Sequence, residues 1–466
     1  MSRQIAALAS AGLAAALAGC SAPPPVPAAA TLPALPTAWR GAADPADNLA
    51  ERPYGDVFRD AELAALIAEA LRNNRDLRIA AQRVELARAQ YGIQDSARWP
   101  TLAADASATR QQAPSVLSAT DNLSSTVYRA GLALPAWEID LWGRLRALSD
   151  SALRNLESTD ALRRFVQVGL VSRVASGWLD LLEIDQALEI SRRTARSRAE
   201  SLRIVALRFD AGVVSKVDVT QAQTALAQAE AATAQLLERR GRQENALSTL
   251  AGRYPGPLQP SRPLASYPLP PSLPAGIPAT LLMRRPDVRA AELALAASQA
   301  SVEAAQKAFL PAISLTGFLG FVSPQLSQLI DADRIGYTVQ PAITLPLFTG
   351  GRLTSSLEGA QAQQALATED YARTVQAALR EVEDALVRFE QQRAQQAAIS
   401  RVVDASRERL RLVELRYSNG ISGYFEVLDA QRQLFDAELQ LTQLTSGAYA
   451  SVIELYRALG GGWTPQ

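Results

Sequence analysis

Between Arg144 and Phe209 apolar positions return every seven residues, at Leu181, Leu188, Ala195, Leu202 and Phe209. No proline and only two glycines, Gly169 and Gly177, interrupt this stretch. The period is that of a coiled-coil seam. A second seam runs through Phe389, Gln396, Val403, Leu410 and Tyr417. Each run is roughly 65 residues, on the order of 100 Å of helix at about 1.5 Å per residue. Shorter helical patterns accompany them at Glu62–Arg98, Val217–Leu250, Asp287–Phe309 and Phe425–Leu459. Two of these laid end to end roughly match one long rod. The alanines at 222, 225, 227, 229, 231, 232 and 234 permit close helix approach and also have high intrinsic helix propensity.

Four short segments carry a different period. Leu102–Arg110 and Val127–Leu134 flank a Ser/Asn-rich loop, and Ile313–Phe321 and Tyr337–Leu345 repeat the arrangement. Each has about the length of a tilted membrane strand. Pro100, Pro135, Pro311 and Pro346 punctuate the strand–helix junctions, and Pro341 inside the fourth segment predicts a bulge. Four strands are too few to close a barrel, and no strand edge is left unpaired in lipid. Closure therefore requires several chains, two giving eight strands and three giving twelve.

The two sets of elements are copies of one another. Arg208-Phe209-Asp210-Ala211-Gly212-Val213 recurs as Arg416-Tyr417-Ser418-Asn419-Gly420-Ile421, an offset of 420 − 212 = 208. Upstream, Trp99-Pro100 matches Leu310-Pro311 at an offset of 311 − 100 = 211. A long duplication implies internal pseudo-symmetry. The organisation that follows is a leader at 1–19, a tether at 20–61, a first repeat at 62–252, a Pro-rich linker at 253–285 and a second repeat at 286–466.

The leader is a secretory signal: Arg3, an apolar run from Ile5 to Ala18, then Leu17-Ala18-Gly19-Cys20. The run is too short for a membrane-spanning helix. Its end resembles a bacterial lipobox, with Cys20 as lipid-bearing mature N-terminus and Ser21 permitting outer-membrane sorting. Cys20 is the only cysteine, so no disulfide forms within the chain. The prolines from Pro23 to Pro36 make an extended tether.

Composition excludes much. Basic and acidic residues balance at 47 each, so no global field calls for nucleic acid. Histidine is absent, which removes Ser-His-Asp triads, Cys-His dyads and histidine metal sites. No glycine-rich phosphate loop occurs. No catalytic residue, metal or cofactor is expected beyond the covalent lipid on Cys20.

With the strands in an outer membrane, the long helices after Pro135 and Pro346 run into the periplasm and turn at Asp210–Lys216 and Ser418–Tyr424. Gly212 and Gly420 suit the positive φ of a helix end. At the second turn Glu426 and Asp429 lie three apart on one helix face.

The lipobox, Arg284-Arg285-Pro286-Asp287-Val288-Arg289-Ala290-Ala291-Glu292 and Tyr424-Phe425-Glu426-Val427-Leu428-Asp429-Ala430-Gln431-Arg432 together resemble TolC-type outer-membrane efflux lipoproteins of the NodT branch. The resemblance covers essentially the whole mature chain. It implies a mainly α fold with a membrane β-barrel: a homotrimer with twelve barrel strands and a helical periplasmic tunnel. It also implies a periplasmic adaptor and an inner-membrane RND-type transporter as partners, and a passive gated duct for small molecules such as drugs. The periplasmic gate falls at Phe425, Glu426 and Asp429, where Phe425 is bulkier than the leucine common in the family. Arg416 and Tyr417 match residues that latch to an acid on the adjacent hairpin, here Asp218; Ser422 stands where some members carry a latching arginine. Asp218 and Glu426 equally read as first-turn acids favoured by the helix dipole, with Ser215 and Asp218 forming a capping box. Arg416 also reads as a solvated charge, and Tyr417 as a seam packing residue. A type I protein-secretion duct and a pore-less coiled-coil scaffold remain the other uses of such a chain.

Overall fold

A computed structural model describes residues 36–39, 48–58, 60–112, 124–267, 269–270 and 272–461. The leader, Cys20, most of the tether and the loop at 113–123 lie outside these residues. The chain order is α1 (Ala61–Asn73), α2 (Arg75–Ser96), β1 (Ala103–Gln112), β2 (Ser124–Ile139), α3 (Arg144–Asp210) and α4 (Lys216–Leu250). After the linker, which is irregular apart from a 3-10 turn at Leu264–Ser266 and a short helix at Pro278–Arg284, come α5 (Pro286–Lys307), β3 (Ala312–Ser323), β4 (Ile335–Thr344), α6 (Arg352–Ser418) and α7 (Tyr424–Ala458). The duplication is exact in the lengths of the long helices, since α3 and α6 each have 67 residues and α4 and α7 each have 35. Two compact units result, one from Leu86–Glu157 with Glu292–Tyr371, the other from Pro33–Glu85, Ser158–Ala291 and Ala372–Gln466.

The first unit holds an antiparallel sheet in the order β1-β2-β3-β4. Its registry collects one apolar face: Trp137 opposite Leu315, Ile139 opposite Ile313, Leu132 opposite Leu319, and Leu319 in turn opposite Tyr337. Many of these side chains are uncovered, with Tyr337 79% and Val339 65% exposed. Positions between them carry Thr338, Gln340 and Arg129, the last lying over the Phe318 ring at 4.0 Å. A sheet with an uncovered apolar face, a more polar opposite face and two open edges has the pattern of a membrane barrel segment.

Three sequence expectations change here. Pro135 does not end its strand: β2 continues to Ile139 through a bulge between Leu134 and Trp137. No bulge forms at Pro341, which pairs in regular register with Leu315. β4 is a sheet edge, where a missing N–H is tolerated. The single helix expected over Glu62–Arg98 is broken at Asn74, whose backbone is extended. Asn74 closes α1 by donating its N–H to Ala70 O, and its side chain opens α2 by accepting from Leu77 N at 3.1 Å.

The second unit is built on α3. Among the described helices only α3 is long and apolar enough to cross a bilayer, and 61% of its apolar stretch is buried within the chain. Leu170, Val174, Trp178 and Leu181 pack there against Leu63 and Ile67 of α1, Leu247 of α4 and Leu264 of the linker. Asp60 locks the arrangement. It caps α1 through Glu62 N (2.8 Å) and Leu63 N (3.1 Å), and accepts from Trp178 Nε1 (3.1 Å) and the Tyr267 hydroxyl. The linker is thereby pinned to helix α3, and burial beside the Asp60 carboxylate pushes the Tyr267 hydroxyl far above its usual range.

Candidate functional site: the paired helical turns

The two turns expected at the helix ends come together. Gly212 and Gly420 adopt φ of 73° and 72°, a left-handed conformation that ends α3 and α6 alike. Val205 of α3, Val219 and Ala222 of α4, and Tyr424 and Val427 of α7 form a small apolar core beneath the turns. Leu202, Leu410 and Tyr417 from the heptad seams pack onto it, whereas Phe209, the last seam residue of α3, is exposed.

The proposed gate residues differ in surroundings. Phe425 is 68% exposed. Glu426, in the first turn of α7, is exposed and forms no side-chain bond with another described residue. Asp429 is firmly held. It accepts from Arg409 of α6 at 2.8 Å, from Arg432 at 2.9 Å and from Gln433 at 2.9 Å. The Arg432 and Arg409 guanidiniums keep its carboxyl below the usual carboxylate range. Arg432 is shared with Asp436 at 3.7 Å while Arg409 faces Asp429 directly, so each chain presents Asp429 as a compensated charge.

The latch residues do not meet within one chain. Asp218 forms a capping box: Ser215 N and Oγ donate to its Oδ2 at 2.9 and 2.8 Å, and Asp218 N donates back to Ser215 Oγ at 3.3 Å. Tyr417 stacks obliquely on Tyr424, with ring centroids 5.6 Å apart, and its buried hydroxyl has no hydrogen-bond partner among the described residues. Ser422 Oγ is likewise buried and unpaired among them. Burial of Tyr424, reinforced by the neighbouring Tyr417, pushes its hydroxyl up to about 12. Arg416 is exposed and pairs with no described residue.

Two residues here escape sequence reasoning. Arg409 lies twenty residues before Asp429 on a separate helix, and no local spacing joins them. Arg208 stands on α3 and reaches the end of α6, donating to Tyr417 O and Ser418 O at 3.2 Å each. Its guanidinium also lies over the Tyr417 ring at 4.5 Å.

A family model for outer membrane efflux proteins matches residues 66–253 and 277–461. The solvent efflux pump outer membrane protein SrpC of Pseudomonas putida is 40% identical over 412 residues, covering 88% of this chain and 87% of that protein. Outer membrane protein OprJ of Pseudomonas aeruginosa is 36% identical over 445 residues, covering 92% of this chain and 91% of OprJ. Among solved structures, the open-state outer membrane channel MtrE of Neisseria gonorrhoeae superposes with a TM-score of 0.84 at 32% identity, covering 95% of this chain and 98% of MtrE.

Proposed function

The chain belongs to the outer membrane efflux protein family, and on that premise we propose that three copies form the exit duct of a tripartite efflux pump. Each copy contributes its four strands to a twelve-stranded barrel. A periplasmic adaptor and an inner-membrane RND-type transporter complete the machine, and small molecules such as drugs are the cargo. The duct itself performs no chemistry; it supplies a sealed path and a gate. The observation that carries this reading is the four-stranded sheet with its uncovered apolar face and two unpaired edges. Such a sheet is stable in lipid only when further chains close it.

The gate in this reading is a ring of Phe425, Glu426 and Asp429 repeated about the axis, widened when the adaptor draws the α6–α7 hairpins outward. Tyr417, Arg416 and Asp218 act as a latch between neighbouring copies. The exposed Arg416 is available for such contacts, whereas the buried Tyr417 hydroxyl, unpaired among the described residues, reaches a neighbour only when the tip repacks on assembly. Cys20 anchors the chain through its lipid. The decisive experiment is native mass spectrometry of detergent-purified protein together with planar-bilayer recording. A trimer with low conductance is expected; a stable pore-forming monomer, or a trimer that never inserts, overturns the duct.

A further inference from the structure

We propose that Arg208 is a gate-positioning residue, tying the end of α6 to α3 within each chain and holding the α6–α7 hairpin closed. The inference rests on the gate reading above and adds to it a tie inside the protomer. A helix C-terminus leaves its last carbonyls without partners and carries the negative end of the helix dipole. Arg208 meets both features at the end of α6, with charge-assisted bonds to Tyr417 O and Ser418 O and its plane over the Tyr417 ring. These are the carbonyls just before the turn that leads into Tyr424, Phe425 and Glu426. Movement of that turn away from α3 breaks all three contacts at once.

The duplication sharpens the assignment. Arg416 holds the corresponding place in the second repeat, one helix end later, yet forms no bond with a described residue. The tie therefore runs one way, from the first hairpin to the second, where the gate residues are. The contact uses backbone carbonyls and a ring face, so it is independent of the Tyr417 hydroxyl and of Asp218.

The test compares Arg208→Ala and Arg208→Lys with Arg203→Ala as control, since Arg203 pairs, among the described residues, only with Glu200 on its own helix. Phe425→Ala reports separately on the gate. Each trimer is recorded in planar bilayers and examined by amide hydrogen exchange. Arg208→Ala is expected to raise the open fraction about tenfold, as losing about 1.4 kcal/mol of closed-state bonding would. Exchange should accelerate at 418–424 while the 211–215 turn is unchanged. Arg208→Lys keeps a donor and a charge but loses the guanidinium that spans two carbonyls and covers the Tyr417 ring, and should fall between the two. Should Arg208→Ala fail to assemble, Arg208→Gln carries the same comparison. If Phe425→Ala changes conductance while Arg208→Ala matches Arg203→Ala in both readouts, the tie is refuted and the gate stands. If neither Phe425→Ala nor Arg208→Ala alters conductance, the gate reading fails and the inference falls with it.

Discussion

Asn74 and Arg285 occupy the same place in the two repeats, at an offset of 285 − 74 = 211, and make the same bond with different chemistry. Asn74 Nδ2 donates to Leu250 O at 2.9 Å, at the end of α4; Arg285 Nη1 donates to Ala458 O at 3.0 Å, at the end of α7. Each acceptor is followed two residues later by a left-handed glycine, Gly252 at φ 73° and Gly460 at φ 78°. A Cβ on either would lie 2.5 Å from Asn73 O or 2.8 Å from Arg284 O, so the backbones touch only because both positions are glycine. The RRPD segment thus builds the repeat junction.

Removal of the two side chains should cost unequally. Arg285 is 3% exposed and also binds Asp287 through Nε at 3.0 Å and Glu381 through Nη1 at 2.8 Å. Arg285→Ala strands the partly buried Asp287, leaves Glu381 with Arg457 alone at 3.4 Å, and is expected to destabilise by about 3–5 kcal/mol, the range for breaking a buried pair. Arg285→Lys should recover little, because one ammonium cannot replace the bidentate fork. Asn74→Ala should cost about 1–3 kcal/mol for the unmet Leu250 carbonyl together with the lost cap on Leu77 N. Denaturant titration of the helical signal measures all three; equal losses for Asn74→Ala and Arg285→Ala would refute the ranking.

How far the chain could be read follows from the range of each interaction. The long helices were legible because a seven-residue period persists for many turns, and the Ser215–Asp218 box because its partners are three residues apart. The break between α1 and α2 was hidden: the second repeat marks it with Pro286, whereas the first has no proline there and relies on Asn74, which caps Leu77 N locally and is held in place by its bond to distant Leu250 O. Pro135 misled for a related reason. A proline signals an interrupted ladder, but only pairing with β3 decides whether the strand ends or bulges. Asp429 was legible as a position and illegible as a charge state, since Arg409 reaches it from another helix.

That charge state sets the cation response of the proposed gate. A ring of acids at a constriction concentrates cations. Asp429 already faces Arg409 and Arg432, while Glu426 has no such partner among the described residues. Trivalent cations applied from the periplasmic side should therefore block through Glu426 more than through Asp429. Glu426→Ala should remove most of the block, Asp429→Ala a smaller part, and Arg409→Ala should strengthen it. Full block in Glu426→Ala with Asp429→Ala would place the constriction elsewhere.

The pH response follows with a definite sign. The Asp429 carboxyl is depressed in the folded chain, so its ties to Arg409 and Arg432 are complete above the ordinary aspartate value and disappear as pH falls through the lower folded value. Conductance should be insensitive to Asp429 from neutral pH down to about 4 and rise only below it. Arg409→Ala should move that onset upward. An onset near neutrality that Arg409→Ala leaves in place would exclude Asp429 as the titrating group.

Lipid attachment at Cys20 is tested by labelling. Radiolabelled palmitate should enter the wild-type protein and be absent from Cys20→Ser. Efflux should survive the substitution to a large extent, because a closed barrel is itself a membrane anchor. Equal labelling of both proteins would remove the lipoprotein assignment.

The proposed latch between copies can be separated from helix capping by the hydroxyl of Tyr417. Within a chain that hydroxyl bonds nothing among the described residues, so Tyr417→Phe should leave the thermal stability of the helices unchanged. Asp218→Ala, by contrast, removes a capping box and should cost about 1 kcal/mol locally. If the two side chains meet across neighbouring copies, both variants should raise conductance in bilayers. The double variant should then exceed neither by much, because one broken contact cannot be broken twice. Cells carrying Tyr417→Phe should also admit large antibiotics that the intact outer membrane excludes. Unchanged conductance in Tyr417→Phe, with loss of stability in Asp218→Ala, would reduce Asp218 to a cap and leave the closed state to Arg208 and the packing beneath the turns.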